Sequence, residues 1–281
     1  RRSSDLNVLL RRFTLSVGVL ANYNSALNEG IHFYPGIDAS YRIGDNVRLY
    51  GSWNRALRMP TFTDLYYEGK TNKGNPDLKP EESEAFEVGL KYNTYFLRAH
   101  IAGFYRKGKN MIDWVKEKPE DIWESQNLTK VDNLGFETNL SLLPRELGNE
   151  RFFIRKIELG YAFIHQDKDS EGYISNYALD YLKHKFTAQL SHSIWKGFSA
   201  TWYVRWQDRA GSYTKYENLK PAYEEPYAPY CLVDMKVNWE YQRLNLYAEL
   251  NNLLNSTYYD LGNIPQPGIW FKAGFRYSFK Y

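Results

Sequence analysis

Three acidic residues alternate along one polar segment, and carboxylate oxygens at such a spacing can bind a calcium ion. They are Asp167, Asp169 and Glu171, and Gly172 follows them. A complete EF-hand loop needs further oxygen ligands at fixed positions, which this segment does not supply. We therefore interpret the segment as a solvated acidic loop, and an extracellular calcium contact stays as the alternative.

Serine and histidine stand side by side at Ser191, His192 and Ser193. A serine hydrolase needs its serine within hydrogen-bond reach of a histidine that a third group orients. Adjacent residues of a strand point to opposite faces, so His192 would share a face with neither serine. We therefore predict no catalytic residue, and an enzyme such as a lipase stays as the alternative from a different functional class.

The five histidines and the single cysteine do not form a metal-binding pattern. No HExxH spacing occurs, and Cys231 has no second cysteine with which to build a disulfide or a metal cluster. We expect no metal site and no cofactor. The net charge of +3 provides no large basic field, so nucleic acid is not an expected partner.

Aromatic residues are frequent in the segments that lack strand alternation. Tyr66, Tyr67, Trp114 and Tyr216 lie farthest from the predicted strand ends. Aromatic side chains in loops can bind a planar or bulky ligand by stacking, at little cost in conformational entropy. We predict these four as ligand contacts. The alternative is that they belong to an aromatic girdle at a membrane surface.

The elements that must position these residues are β-strands. The final segment, residues 269–281, alternates apolar and polar residues and carries bulky, mostly aromatic groups outward as far as its last residue. A strand that crosses a membrane needs about 9–11 such residues, with aromatic girdles at both interfaces. The chain contains no apolar run long enough for a membrane-spanning helix, so helical spans are excluded.

The same alternation predicts about twelve strands. Their outward-facing sets begin at Phe13, Phe33, Val47, Phe86, Leu97, Leu134, Ile157, Phe186, Phe198, Cys231, Leu244 and Ile269. Short turns alternate with long polar loops, which are predicted at residues 55–82, 107–131, 166–182, 208–228 and 254–268. Short turns on one side and long loops on the other are typical of outer-membrane barrels. The predicted fold is therefore all-β, a transmembrane antiparallel up-and-down β-barrel.

Two motifs narrow the family. The first loop contains an R-x-P segment, a Tyr66-Tyr67 pair and a returning G-N-P-x-L-K-P-E segment, and its motif residues are Arg58, Pro60, Asn75, Pro76, Leu78, Pro80 and Glu81. The second motif is the N-N-L-L-N segment over residues 251–255, followed by Pro267, Gly268 and the terminal aromatic strand. In this order and spacing, the chain resembles TonB-dependent outer-membrane receptors.

The resemblance implies a barrel of about twenty-two strands around an N-terminal plug. We therefore expect residues 1–281 to be the C-terminal portion of a receptor barrel, with the plug domain and the early strands absent from this chain. The implied partners are outer-membrane lipid, TonB through the missing plug, and a small chelate. The resemblance also implies that Tyr281 is the terminal aromatic recognised by the barrel-assembly machinery.

The functional hypothesis is that the protein is integral to a bacterial outer membrane and imports a scarce chelate. Its extracellular loops would bind cobalamin or a ferric siderophore for TonB-driven transport. A receptor of the same family for haem or another nutrient is an alternative, although similar haem receptors carry a histidine between the two boxes and residues 55–80 contain none. The alternative from a different class is an outer-membrane barrel enzyme such as a lipase.

Overall fold

A computed structural model describes residues 2–9, 11–23, 30–118, 120–148, 151–169, 172–175, 181–217, 220–262 and 264–279. Within these residues, thirteen strands follow one another in a single hydrogen-bonded order along the chain. They are β1 (Arg2–Leu9), β2 (Phe13–Tyr23), β3 (Ile31–Ile43), β4 (Val47–Arg58), β6 (Glu81–Asn93), β7 (Leu97–Lys116), β8 (Trp123–Leu142), β9 (Ile154–Asp169), β11 (Leu182–Trp195), β12 (Phe198–Arg209), β15 (Tyr230–Tyr241), β16 (Leu244–Asn251) and β19 (Trp270–Tyr277). All twelve predicted strands are present, and β1 is an addition.

The connections contain shorter elements. They are the helix α1 (Phe62–Tyr66), a 3-10 helix (Pro144–Leu147) and the strands β5 (Asn72–Lys73), β10 (Ile174–Ser175), β13 (Ser212–Glu217), β14 (Lys220–Pro226), β17 (Tyr259–Leu261) and β18 (Ile264–Pro265). Among the described residues, no helix has the length and apolar character needed to cross a membrane.

The chain divides into two compact units. The first comprises Arg1–Lys91, Ile101–Phe136 and Ile164–Tyr181. The second comprises Tyr92–His100, Glu137–Phe163 and Leu182–Tyr281. Each unit is built mainly from antiparallel neighbouring strands, as the registers of β2 with β3 in the first unit and of β11 with β12 in the second show.

In the second unit, the predicted outward sets stand directly opposite one another across neighbouring strands. One row runs from Leu190 through Trp202, Met235 and Leu250 to Phe271. Such rows expose a continuous apolar face, which a protein in water rarely presents. The fold is therefore the predicted transmembrane type, in which this face lies against lipid.

The opposite face of the second unit is polar. Glu249 Oε1 lies 2.7 Å from Lys236 Nζ, and Glu249 Oε2 pairs with Lys272. Next to this cluster, Tyr247 lies over Gly274, where an added Cβ would stand 2.5 Å from the tyrosine hydroxyl. Glycine thus lets the tyrosine ring lie directly against the neighbouring strand, and a larger residue would displace the ring.

Strands β7 and β8 are longer than predicted. Each has 20 residues, about twice the 9–11 that cross a bilayer. The end of β7 and the start of β8 therefore stand well outside the membrane. The predicted loop over 107–131 was therefore wrong, because only residues 117–122 connect the two strands. The apolar alternation of β7 stops after Tyr105, although the strand continues to Lys116. We call residues 107–116 and 123–130 the strand extension.

The last strand is shorter than the predicted segment 269–281, because β19 ends at Tyr277. The predicted assembly residue, Tyr281, lies outside the described residues. The predicted loops over 208–228 and 254–268 each contain a short hairpin, formed by β13 with β14 and by β17 with β18.

Candidate functional site

The loop between β4 and β6, residues 59–80, begins and ends at one ion pair. Arg58 donates from Nε to Glu81 Oε2 over 2.6 Å and from Nη2 to Glu81 Oε1 over 2.5 Å. Glu81 Oε1 also accepts the backbone N–H of Ile112, on strand β7, over 2.8 Å. Glu81 is buried. Two residues of the first motif therefore close the base of the loop and attach it to the strand extension.

The loop enters through a short capped helix. Thr61 Oγ1 accepts the N–H of Asp64 over 3.1 Å, and Asp64 Oδ2 accepts the N–H of Thr61 over 2.9 Å, so the first turn of α1 has both bonds of a capping box. Pro60 precedes this cap and has no backbone N–H that would need a partner there. Helix α1 is thus fixed at its start by sequence-local contacts.

The returning segment packs against that helix. Asn75 donates its N–H to Asp64 O over 2.9 Å and accepts the N–H of Asp77 at its side-chain oxygen over 2.9 Å. Pro76 lies inside this turn, and Leu78 then inserts into the interior with 6% of its surface exposed. The motif residues therefore hold the loop in one conformation.

An asparagine that the motif does not include attaches the end of the loop. Asn127, on β8, accepts the N–H of Lys79 over 2.8 Å and donates to Lys79 O over 3.0 Å and to Asn110 O over 2.7 Å. These bonds hold the residue before Pro80 against the strand extension. No sequence spacing links Asn127 to residue 79, so only the fold could identify it.

This frame presents exposed aromatic side chains. Phe62, Tyr66 and Tyr67 are 83%, 64% and 49% exposed, respectively, and the ring centroids of Phe62 and Tyr66 lie 6.1 Å apart. We call these three residues the aromatic platform. The two tyrosines were predicted from the sequence and Phe62 was not. Phe62 shares a face of α1 with Tyr66 because the two are four residues apart.

Trp114 is not in a loop, as the sequence analysis expected, but in strand β7. It is 9% exposed, and its ring meets that of Tyr67 edge-on with centroids 6.3 Å apart. Trp114, on strand β7, therefore packs against the ring of Tyr67. The expectation was wrong because the polar residues around Trp114 resemble a loop once the strand has left the membrane.

A second segment attaches to the same strand. Strand β10 pairs with β7, with Ser175 opposite Val115 and Ile174 opposite Lys116. The Ser175 hydroxyl donates to Asp113, a carboxylate that is 1% exposed. The strand extension thus holds both the β4–β6 loop and residues 174–175.

Tyr216, the fourth predicted contact, lies in the second unit, in strand β13 opposite Pro221. Its side chain is outside the described part of the structure. In the same hairpin, Lys215 and Glu225 pair over 2.9 Å, and the hydrogen bond from Lys215 lowers the pKa of the Glu225 carboxyl.

Neighbouring tyrosines of this hairpin are packed rather than exposed. Tyr213 stacks on Tyr259 with ring centroids 5.1 Å apart and contacts Tyr227 at 5.2 Å. Tyr213 and Tyr227 are each 7% exposed. They therefore join the β12–β15 connection to the β16–β19 connection, and their rings are not available to a ligand.

The second motif is also a structural junction. Asn252 adopts a left-handed backbone with φ of 52°, donates to Ser256 O and Pro267 O, and accepts the Ser256 N–H. An asparagine tolerates this backbone and can satisfy three backbone groups at once. It fixes the loop that leads into β19.

Comparison with protein families decides the classification. A family model described as the TonB dependent receptor-like β-barrel matches residues 7–253. The chain belongs to this TonB-dependent receptor family. It is consequently an integral protein of the outer membrane, and the apolar rows described above are its lipid-facing surface.

Individual relatives of this receptor chain are more distant. The vitamin B12 transporter BtuB of Vibrio vulnificus is 28% identical over 134 residues, which are 43% of this chain and 21% of the relative. The iron-regulated outer membrane virulence protein of Vibrio cholerae is 26% identical over 204 residues, 65% of this chain and 29% of the relative. The chain thus spans less than a third of these relatives.

Solved structures share the fold. The ferric enterobactin receptor PfeA of Pseudomonas aeruginosa, in complex with enterobactin, superimposes with a TM-score of 0.75 at 20% identity, over 99% of this chain and 45% of that one. The likeness in fold therefore covers nearly all of residues 1–281, beyond the region that the family model matches.

The family is one of receptors, not of enzymes, and the predicted serine and histidine positions fit this. Ser193 Oγ accepts from Arg145 Nη2 over 2.7 Å and from Arg155 Nε over 2.9 Å. His192 Nε2 instead accepts the indole N–H of Trp202 over 3.2 Å. The histidine and Ser193 have separate partners on opposite faces of β11, as predicted.

The acidic segment of the calcium alternative begins within a strand. Asp167 and Asp169 belong to strand β9 and not to the predicted loop, because β9 continues to Asp169. The side chain of Asp169 and the whole of Glu171 lie outside the described residues. Within the residues that are described, no three histidine, cysteine or acidic side chains come together as a metal site.

Proposed function

We propose that this chain is the C-terminal barrel portion of a receptor that imports cobalamin or a ferric siderophore across the outer membrane. The plug domain and the early strands would belong to the rest of the receptor. Support comes from family membership and from relatives named as a vitamin B12 transporter and an iron-regulated outer membrane protein. A solved neighbour holds enterobactin.

The observation that carries the proposal is the aromatic platform. Exposed aromatic rings on a fixed frame provide contact area for a large, partly apolar chelate, and they lose little conformational entropy on binding. The frame lies beside strands that extend beyond the membrane, where an extracellular ligand would first arrive. Tyr66 and Tyr67 are the proposed contacts, with Phe62 as a third.

The receptor would need two protein partners, one for transport and one for its own insertion into the membrane. TonB would act through the plug and supply energy from the inner membrane, because the barrel itself holds no energy source. The barrel-assembly machinery would recognise the terminal aromatic, Tyr281, during insertion.

The other two predicted ligand contacts have different roles in this proposal. Trp114 would act through Tyr67 and not by touching ligand, and Tyr216 stays a proposed contact of the second unit.

The test is ligand binding by the whole receptor in detergent micelles, measured by titration calorimetry with cyanocobalamin and with ferric enterobactin. Replacing Tyr66 and Tyr67 with alanine should raise Kd for the bound chelate about tenfold, because aromatic contacts contribute roughly 0.5–1.5 kcal/mol each. The matched control is Tyr95→Ala, an exposed tyrosine of a short turn, which should leave Kd unchanged. Equal affinities in all variants would refute the site.

A further inference from the structure

Glu81 is a buried carboxylate whose contacts join three separate parts of the first unit. It is 8% exposed, and it accepts two N–H groups from Arg58 and the backbone N–H of Ile112. A buried charge needs such complete pairing, since an unpaired one is costly. The Glu81 carboxylate therefore joins the end of β4, the start of β6 and strand β7.

The network continues from this group to the helix of the platform. Arg58 Nη1 lies 3.9 Å from Asp64 Oδ2, and the same Asp64 oxygen accepts the N–H of Thr61 in the capping box. Asp64 is 9% exposed. Polar contacts thus run without a break from Ile112 on the strand, through Glu81, Arg58 and Asp64, to the first turn of α1.

Helix α1 needs this support. It has five residues, and helices shorter than about 12–15 residues are marginal in water without tertiary contacts. Two of its five residues, Phe62 and Tyr66, are largely exposed and contribute little to packing. Its orientation therefore depends on tertiary support, which the returning segment and the ion pair provide in addition to the cap.

From this geometry we infer that Arg58 and Glu81 are positioning residues for ligand binding, which hold Tyr66 and Phe62 in place without contacting the ligand themselves. The inference rests on the proposed function and assigns the R-x-P and K-P-E boxes a role in that site. The planar guanidinium suits this role, because its two parallel bonds fix an orientation that a single ammonium group would not.

A double-mutant cycle separates positioning from contact. Arg58→Ala and Tyr66→Ala are made singly and together in the whole receptor, and Kd is measured for cyanocobalamin and ferric enterobactin. If Arg58 acts through Tyr66, Tyr66→Ala raises Kd about threefold, Arg58→Ala raises it at least as much, and the double variant binds no worse than Arg58→Ala alone. Additive losses would overturn the inference.

Hydrogen exchange provides a readout that does not depend on ligand. Arg58→Ala should speed amide exchange within residues 62–78 about tenfold, because the buried Glu81 carboxylate loses its two charge-assisted hydrogen bonds. Tyr66→Ala should leave that exchange unchanged. Glu81→Gln, which keeps an acceptor for Ile112 but not the charge, should give a smaller increase.

The matched control is Arg55→Ala. Arg55 Nη2 lies 3.6 Å from Glu82 Oε2, and the Glu82 side chain is 36% exposed against 10% for Glu81, so the loss of Arg55 should change neither exchange nor Kd. If neither chelate binds, the proposed function fails, but the exchange experiment still tests whether Arg58 and Glu81 hold α1 in place. Unchanged exchange in both Arg58→Ala and Glu81→Gln would overturn the inference.

Discussion

At the scale of single residues, the first motif consists of side chains that fix the conformation of the β4–β6 loop. Arg58, Asn75 and Glu81 bind backbone or one another, and the exposed rings that could meet a ligand lie between them. The motif was recognisable from sequence, but its division into frame and platform was not. That division depends on Ile112 and Asn127, which are distant along the chain.

Gly74 offers a sharp residue-scale prediction. A Cβ at this position would lie 2.8 Å from Leu65 C and 2.9 Å from the N atoms of Tyr66 and Tyr67. These are backbone atoms, which cannot move aside as a flexible side chain could. We expect Gly74→Ala to force the returning segment away from α1, at a cost of about 1–3 kcal/mol.

Limited proteolysis of the β4–β6 loop checks this prediction, and Gly74→Ala should be cleaved faster than the parent. Gly103→Ala is the control, because the nearest atom to its added Cβ is 4.0 Å away. Equal cleavage of the parent and Gly74→Ala would show that the loop does not pack as described.

At the scale of elements, the strands inside the membrane could be predicted because lipid imposes a period of two on their sequence. The outward row through Val204 and Val233 and the row through Leu190 and Trp202 were both expected from alternation, and the registers place them side by side. Alternation also gave the correct face for His192.

The strand extension could not be predicted in the same way. Outside the membrane both faces of a strand meet water or other loops, so residues 107–116 show no apolar period and resemble a loop. The attachment of β10 through Ser175 and Asp113 depends on long-range pairing. Sequence reasoning therefore placed Trp114 in the wrong kind of element.

Lipid contact gives the element-scale prediction. Val204 stands in an outward row of β12, opposite Ala188 and Val233. Replacing Val204 with lysine should destabilise the folded barrel by about 2–4 kcal/mol if the residue lies near the bilayer midplane. The matched control is Gln189→Lys on the inward face of β11, opposite Glu158, which should cost much less.

Denaturant unfolding of the whole receptor in lipid vesicles measures this difference. A lower midpoint for Val204→Lys than for Gln189→Lys is expected. Equal midpoints, or a larger loss for Gln189→Lys, would mean that the assigned faces are reversed.

At the scale of the whole molecule, the chain joins a lipid-facing sheet to connections that carry the proposed recognition surface. The sheet accounts for membrane location, and the connections account for the proposed choice of ligand. The fold and the family are shared with receptors named for different ligands, and we therefore propose that specificity resides in exposed residues such as Phe62, Tyr66 and Tyr67 rather than in the frame.

The most direct test of the account is uptake of labelled cyanocobalamin and ferric enterobactin by cells that carry the whole receptor, with and without TonB. One chelate should accumulate only when TonB is present, while its binding at the cell surface persists without TonB. Uptake of neither chelate, or uptake that is unchanged when TonB is removed, would contradict the proposed function.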